Sequence, residues 1–418
     1  MPGKGSTPTS RSADPPSEGA ELTTGARPSG LVLAAPVRTP IGRFGGALAP
    51  LSAADLGSAV ASACLERSGC PPQKVDLAVF GHGRQAGGGP NTARQIAYRA
   101  GVPQEVPAFT VNQACASGLQ AVLSAARHLL LGEARVALVG GTESMSNTPY
   151  MLPRARWGYR LGHAELSDGM YRDGFLDPLS KLVMGETAEE LAQEAGVSRQ
   201  EADDWAASSQ RRCQRAREAG WYRQEITPVT VPGRRGETRV DADEHPRDDV
   251  TAQGLGRLPA VFREGGTVTA GNASGITDGA AALLLATEEA ARELGLEVWA
   301  RLVDWQVVGV DPRIMGIGPV PAMATLMERR ALAWEDLRQV ELNEAFASQV
   351  LACLAHWNVD RERVNPAGGA IALGHPIGCT GARLLVTLLH GLRRSGGGLG
   401  AATLCVSGGM GIAALVEV

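Results

Sequence analysis

The chain spells one order of elements twice: a short apolar strand, a turn of small residues carrying a cysteine, a long apolar helix, then another strand. In the first copy residues 106–111 read as a strand. The turn Asn112-Gln113-Ala114-Cys115-Ala116-Ser117-Gly118 leads to a helix over 117–131 and a strand over 134–139. In the second, Gly378-Cys379-Thr380-Gly381 opens a helix over 380–394, followed by paired strands over 401–406 and 411–416. Earlier pieces echo one another too: strand 31–35, helix 53–67 and strand 75–80, against strand 300–310, helix 322–331, strand 340–342 and helix 345–357. Strands alternating with helices define an α/β class, and the repetition points to a duplicated βα core.

The 418 residues exceed one simple core and suit two or three lobes. A net charge of −4 gives no reason to expect nucleic acid or an anionic membrane as partner. No apolar run is long enough for a membrane span. The seven cysteines are scattered, odd in number and never in a C-x-x-C pair, which speaks against disulfide or zinc frameworks and for a reducing, cytoplasmic setting. Residues 1–29, rich in Pro, Ser, Gly and Thr, read as a disordered tail.

Between the copies the texture changes. Residues 146–274 hold three of the seven tryptophans and four of the five tyrosines, helical stretches over 184–195 and 198–219, and a hairpin-like region over 229–247. So long an excursion is an inserted loop domain suited to substrate binding rather than a linker. It divides the chain into an N-terminal half (30–145 plus 275–297) and a C-terminal half (298–418).

Three segments carry chemistry. Cys115 stands at or just before a helix start, where free N–H groups favour a thiolate and can hold an oxyanion; the bland alternative is a buried core thiol. His375, locked between Gly374 and Pro376, is placed to act as a base, and its bland alternative is a surface-loop histidine. Cys405 ends a strand before Ser407-Gly408-Gly409, where a thiol could move a proton, although such turns are common. Asn343, in Asn-Glu-Ala-Phe-Ala, could orient a water or simply cap a helix.

Taken together, N-Q-A-C-A-S-G, N-E-A-F-A, G-G-A-I-A-L-G-H-P-I-G and C-V-S-G-G-M-G resemble the thiolase family, with further likeness in A-P-V-R-T-P-I-G-R-F, G-G-T-E-S-M-S and T-V-T-A-G-N-A-S-G. The resemblance runs from about Leu31 to the end. It implies a five-layered α-β-α-β-α thiolase-like fold and thiolytic cleavage of 3-ketoacyl-CoA to acetyl-CoA and a shortened acyl-CoA, or the reverse Claisen condensation. It also implies Cys115 as the acylated nucleophile, His375 as its base and Cys405 as the second acid/base. Asn343 and His375 would form one oxyanion hole, the N–H groups of Cys115 and Ser407 the other. Ser274, Met184, Met315, Ala345, Phe346 and Gly408 would meet the substrate or CoA. No metal or cofactor is implied, coenzyme A and acyl-CoA being substrates, and a homodimer or homotetramer is.

Two departures bear on substrate. Val183 precedes Met184 where many biosynthetic members carry histidine, and Ser407 replaces a glycine. These favour a 3-ketoacyl-CoA thiolase, with an acetoacetyl-CoA thiolase as the alternative. Cys405, where ketoacyl synthases use histidine, speaks against that relative; a non-catalytic acyl-CoA-binding protein is the reading from another class.

Overall fold

The computed structural model describes residues 30–233 and 236–418, so the expected tail over 1–29 lies outside the described residues. The first half comprises β1 (Leu31–Arg38), α1 (Ala53–Ser68), β2 (Leu77–Gly81), α2 (Thr92–Arg99), β3 (Ala108–Val111), α3 (Ser117–Leu130) and β4 (Val136–Ser144). A long excursion with α4 (Met184–Glu194), α5 (Arg199–Glu218) and the hairpin Val229–Gly233 with Gly236–Val240 follows, and the chain returns as β5 (Thr277–Thr287). The second half comprises β6 (Val298–Gly309), α6 (Pro319–Arg330), β7 (Leu337–Leu342), α7 (Ala347–Ala355), α8 (Ile377–Arg394), β8 (Leu399–Val406) and β9 (Met410–Glu417).

The duplication is explicit in the pairing. Strands β3, β2 and β4 are parallel, then β5 and β1 add antiparallel, in the order β3-β2-β4-β5-β1. In the second half β7 and β8 are parallel, and β9 and β6 add antiparallel in the order β7-β8-β9-β6. A parallel bridge from Val340 to Val364 stands where the counterpart of β3 belongs. Strand β1 pairs with β6 and joins the halves.

Burial explains the layering. Leu31 and Leu33 of β1 join the cluster that holds α3, α8 and the inner residues of β8 and β9, whereas Val32 and Ala34 join the cluster under α1 and α2. A third cluster lies beneath α6 and α7. Strands buried on both faces need continuous apolar runs, as these are. The layers are therefore α1/α2, sheet, α3/α8, sheet and α6/α7, the five-layered fold expected. Among the described residues, no helix is long and apolar enough to cross a membrane.

Several boundaries differ from expectation. Strand β1 runs through Pro36 to Arg38 instead of stopping at residue 35, because its ladder with β5 absorbs a bulge between Ala34 and Val37, with Ala35 at φ +48°. Helix α3 begins at Ser117 as expected, two residues past Cys115, whereas α8 begins at Ile377, directly after Pro376 and ahead of the expected residue 380. Helix α7 is shorter than expected because the Ala345 carbonyl accepts from Ser274 N (3.0 Å) and Ala347 N donates to Asn272 O (2.9 Å). Helix α2 and strand β5 were not anticipated as elements; a short run such as Ala280–Ala286 fits a buried strand or a helix equally well.

Candidate active site

Cys115 sits on a constrained turn. Ala114 adopts φ +45°, a left-handed conformation unfavourable for a residue with a side chain. Asn112 Oδ1 accepts from Ala114 N at 3.0 Å, and Ser117 Oγ accepts from Gln113 N at 2.9 Å while donating to Ala114 O at 2.6 Å. These three bonds fix the thiol ahead of α3.

The two central helices meet at their smallest residues. A Cβ on Gly118 would lie 2.7 Å from Ala382 N, and one on Gly381 would lie 2.3 Å from Leu119 N. Backbone contact of this kind sets the N-terminal ends of α3 and α8 side by side, with Cys115 before one and His375 before the other. Glu143, at the end of β4, ties the ends together by accepting from Gly378 N (2.8 Å), Gly83 N (3.0 Å) and Arg84 N (3.1 Å) and facing His82 Nε2 at 3.1 Å. Burial opposes its ionisation, but the bond to His82 and the charges of His82 and Arg84 hold the Glu143 carboxyl below its usual range.

His375 is held from both sides. Gly374 has φ +100°, and a Cβ there would lie 2.4 Å from Thr277 Cγ2, so glycine is required. His375 N donates to Gly275 O at 3.0 Å. Thr380 Oγ1 lies 2.6 Å from His375 Nδ1 and donates its own proton to Pro376 O at 3.0 Å, so it accepts from Nδ1–H. Nε2 is then the basic nitrogen, 3.5 Å from Asn343 Nδ2. Burial, followed by the charges of Arg383 and Arg84, lowers the imidazole to about 3, so it is neutral across the physiological range.

A lowered thiol was expected for Cys115, and the structure corrects this. Burial raises it, outweighing the opposing effects of Arg84 and the N–H groups of Ser407 and Cys115. The cost of burying the charge outweighs the helix terminus and N–H groups that were expected to favour a thiolate. Cys405 is fully buried and raised well above the ordinary thiol value, first by burial and then by the charge of Cys115, so the two sulfurs are within electrostatic reach.

Cys115, His375 and Cys405 all line one cavity of about 250 Å³. Ser274, Met184, Met315, Ala345, Phe346 and Ser407 line it as well. Its walls divide into two apolar sets: Met145, Ile377, Phe175 and Ile276, packed with Met170 against Cys115, and Met315, Ala345, Met184 and Phe346 against Cys405. Asn343 stands behind His375 and is not a lining residue, while its buried Oδ1 has no partner among the described residues. Gly408 is likewise outside the lining and serves the turn between β8 and β9 with φ +88°.

Sequence reasoning missed Thr380, Glu143, Arg84, Tyr171 and Phe262, of which Arg84, Tyr171 and Phe262 line the cavity. One available signal was Gly81-His82-Gly83-Arg84, since it follows the carboxyl end of a parallel strand, where α/β sheets place their ligands.

Fold and site define the class, an acyltransferase whose thiol and imidazole face one thioester-sized cavity. Residues 31–289 match the family model described as thiolase, N-terminal domain, and residues 296–418 match thiolase, C-terminal domain. An acetyl-CoA acetyltransferase of Chromobacterium violaceum is 47% identical over 93% of this chain and 99% of its own length. The crystal structure of the Bacillus anthracis acetyl-CoA acetyltransferase superposes with a TM-score of 0.91 at 44% identity, covering 94% of this chain and 100% of that one. Human mitochondrial 3-ketoacyl-CoA thiolase in complex with CoA gives 0.90 at 40% identity, over 93% and 98%. The chain belongs to the thiolase family.

Proposed function

We propose that this protein interconverts 3-ketoacyl-CoA plus CoA with acetyl-CoA plus acyl-CoA through an acyl-enzyme on Cys115. The observation that carries the reading is the convergence of Cys115, His375 and Cys405 on one cavity. Because burial keeps Cys115 protonated, a base is needed, and neutral His375, whose unprotonated Nε2 lies 3.5 Å from Asn343 Nδ2, fits that role.

In cleavage, His375 Nε2 takes the Cys115 proton and the thiolate adds to the 3-keto carbon. The C2–C3 bond breaks, acetyl-CoA leaves as its enolate, and Cys405 gives that carbon a proton. Cys405, now a thiolate, deprotonates incoming CoA, whose sulfur attacks the thioester. Cys115 departs as a thiolate and recovers its proton from the His375 imidazolium. The N–H groups of Cys115 and Ser407, both close to Cys115 Sγ, support one oxyanion. The second would lie between His375 Nε2 and a water that the free Asn343 Oδ1 accepts from. Acid, base and anion support all come from the chain, without an added metal or cofactor.

The names of the similar bacterial proteins favour transfer of an acetyl group, hence acetoacetyl-CoA as substrate. The apolar wall beside Cys115, with Met145, Phe175, Ile276 and Ile377, favours longer acyl groups, and we place the protein in the 3-ketoacyl-CoA branch on that ground. The half-exposed edge strand β3 supports assembly through paired edges into a homodimer or a tetramer of dimers. Following CoA-dependent loss of 3-ketoacyl-CoA substrates of graded chain length tests the function. Turnover across several lengths is expected, activity confined to acetoacetyl-CoA would favour the narrower enzyme, and no turnover with any of them would overturn the reading.

A further inference from the structure

Arg84 is the feature of the cavity that thioester chemistry does not use. It is 7% exposed and lines the cavity with Cys115, Met145, Phe175 and Ile377. Among the described residues, none of its side-chain nitrogens has a hydrogen-bond or ion-pair partner, and its Nε is buried outright. The Phe175 ring lies 5.9 Å from Arg84 Cζ. The nearest carboxylate, Glu143, is already saturated. Oε1 takes Arg84 N and His82 Nε2, and Oε2 takes Gly83 N and Gly378 N.

The chain also leaves room for this guanidinium. A Cβ on Gly174 would fall 2.0 Å from Arg84 Nη2 and 2.2 Å from its Cζ. A buried guanidinium without hydrogen bonds is costly, and arginine cannot escape by losing its proton. Its planar fork matches a carboxylate in two parallel bonds. An acyl chain bound to Cys115 would meet this wall, since the same residues pack against Cys115.

Resting on the proposed reaction, we infer that Arg84 is a specificity-determining residue that pairs with a carboxylate at the far end of the acyl group, so that 3-ketoacyl-CoA thioesters of dicarboxylic acids are the preferred substrates. The apolar wall carries the methylenes, and Arg84 reads the terminus.

Six-, seven- and eight-carbon 3-ketoacyl-CoA thioesters, each made with a terminal carboxylate and with a terminal methyl, test this in wild type, Arg84→Met and Arg84→Lys. In wild type the carboxylate form is expected to have at least about tenfold higher kcat/KM at one matched length, carried mainly by KM. Arg84→Met should lower that ratio by at least about tenfold and Arg84→Lys by less, because lysine keeps the charge without the fork. The wild-type comparison stands even if a variant does not fold. A wild-type ratio at or below one at every length overturns the inference and leaves the reaction standing. So does an equal loss on both members of each pair in Arg84→Met, which would mean that Arg84 acts on Cys115 instead. No turnover of any of the six compounds overturns the inference, and no turnover of acetoacetyl-CoA as well overturns the reaction.

Discussion

His375 Nδ1 donates to Thr380 Oγ1 across 2.6 Å, and that hydroxyl is itself committed to the Pro376 carbonyl. The chain of bonds fixes the tautomer, so Nε2, 3.5 Å from Asn343 Nδ2, is the unprotonated nitrogen.

Thr380 is therefore a positioning residue. Thr380→Val should cost about 1–3 kcal/mol of orientation, roughly tenfold to a hundredfold in kcat/KM. Thr380→Ser should retain most of the activity. Single-turnover acylation of Cys115 measures this, and an undiminished rate in Thr380→Val would remove Thr380 from the mechanism.

A histidine held neutral down to about 3 makes folding depend on pH. As pH falls below the ordinary value of 6.5, the unfolded chain takes up a proton that the folded chain refuses, so stability is lost with falling pH through that window. At about pH 4.5 the loss from this residue is about 2–3 kcal/mol. Denaturant titrations of wild type and His375→Gln at neutral and acid pH should differ by that amount, the wild type being the more acid-sensitive. Equal acid sensitivity would contradict the buried neutral state.

The crossing of α3 and α8 leaves no room at Gly381, where a Cβ would stand 2.3 Å from Leu119 N. Gly381→Ala should destabilise the protein by about 1–3 kcal/mol and slow Cys115 acylation, because the helix ends that carry the site must move apart. Thermal unfolding together with the acylation rate checks both parts.

Cys115 is partly exposed, whereas Cys64, Cys213 and Cys353 are fully buried. Burial also pushes Cys213 and Cys353 up to about 12. Iodoacetamide should label Cys115 first, as read by peptide mapping. Equal labelling of the buried thiols would show that the cavity is closed to it.

Much of this architecture was legible in the sequence, because strands buried on both faces must be continuously apolar and helices between them must be long. The doubled order of elements, Cys115, His375 and Cys405 could all be read that way. Thr380 could be seen only as part of a helix, since its role depends on the ring orientation of His375. Glu143 joins groups far apart in the chain, reaching Gly378 N from the end of β4. The thiol of Cys115 was misjudged because sequence gives the helix start but shows nothing of the burial that raises the thiol. Arg84 follows a strand like any loop residue, and only its surroundings reveal a buried guanidinium without a hydrogen-bond partner among the described residues.

The most direct measurement is mass spectrometry of peptides after brief incubation with a 3-ketoacyl-CoA in the absence of CoA. The acyl group is predicted on Cys115 in wild type, lost in Cys115→Ser, and discharged as acyl-CoA when CoA is added. An acyl group on Cys405 or elsewhere, or none at all while the substrate is consumed once CoA is present, would contradict the acyl-enzyme on Cys115.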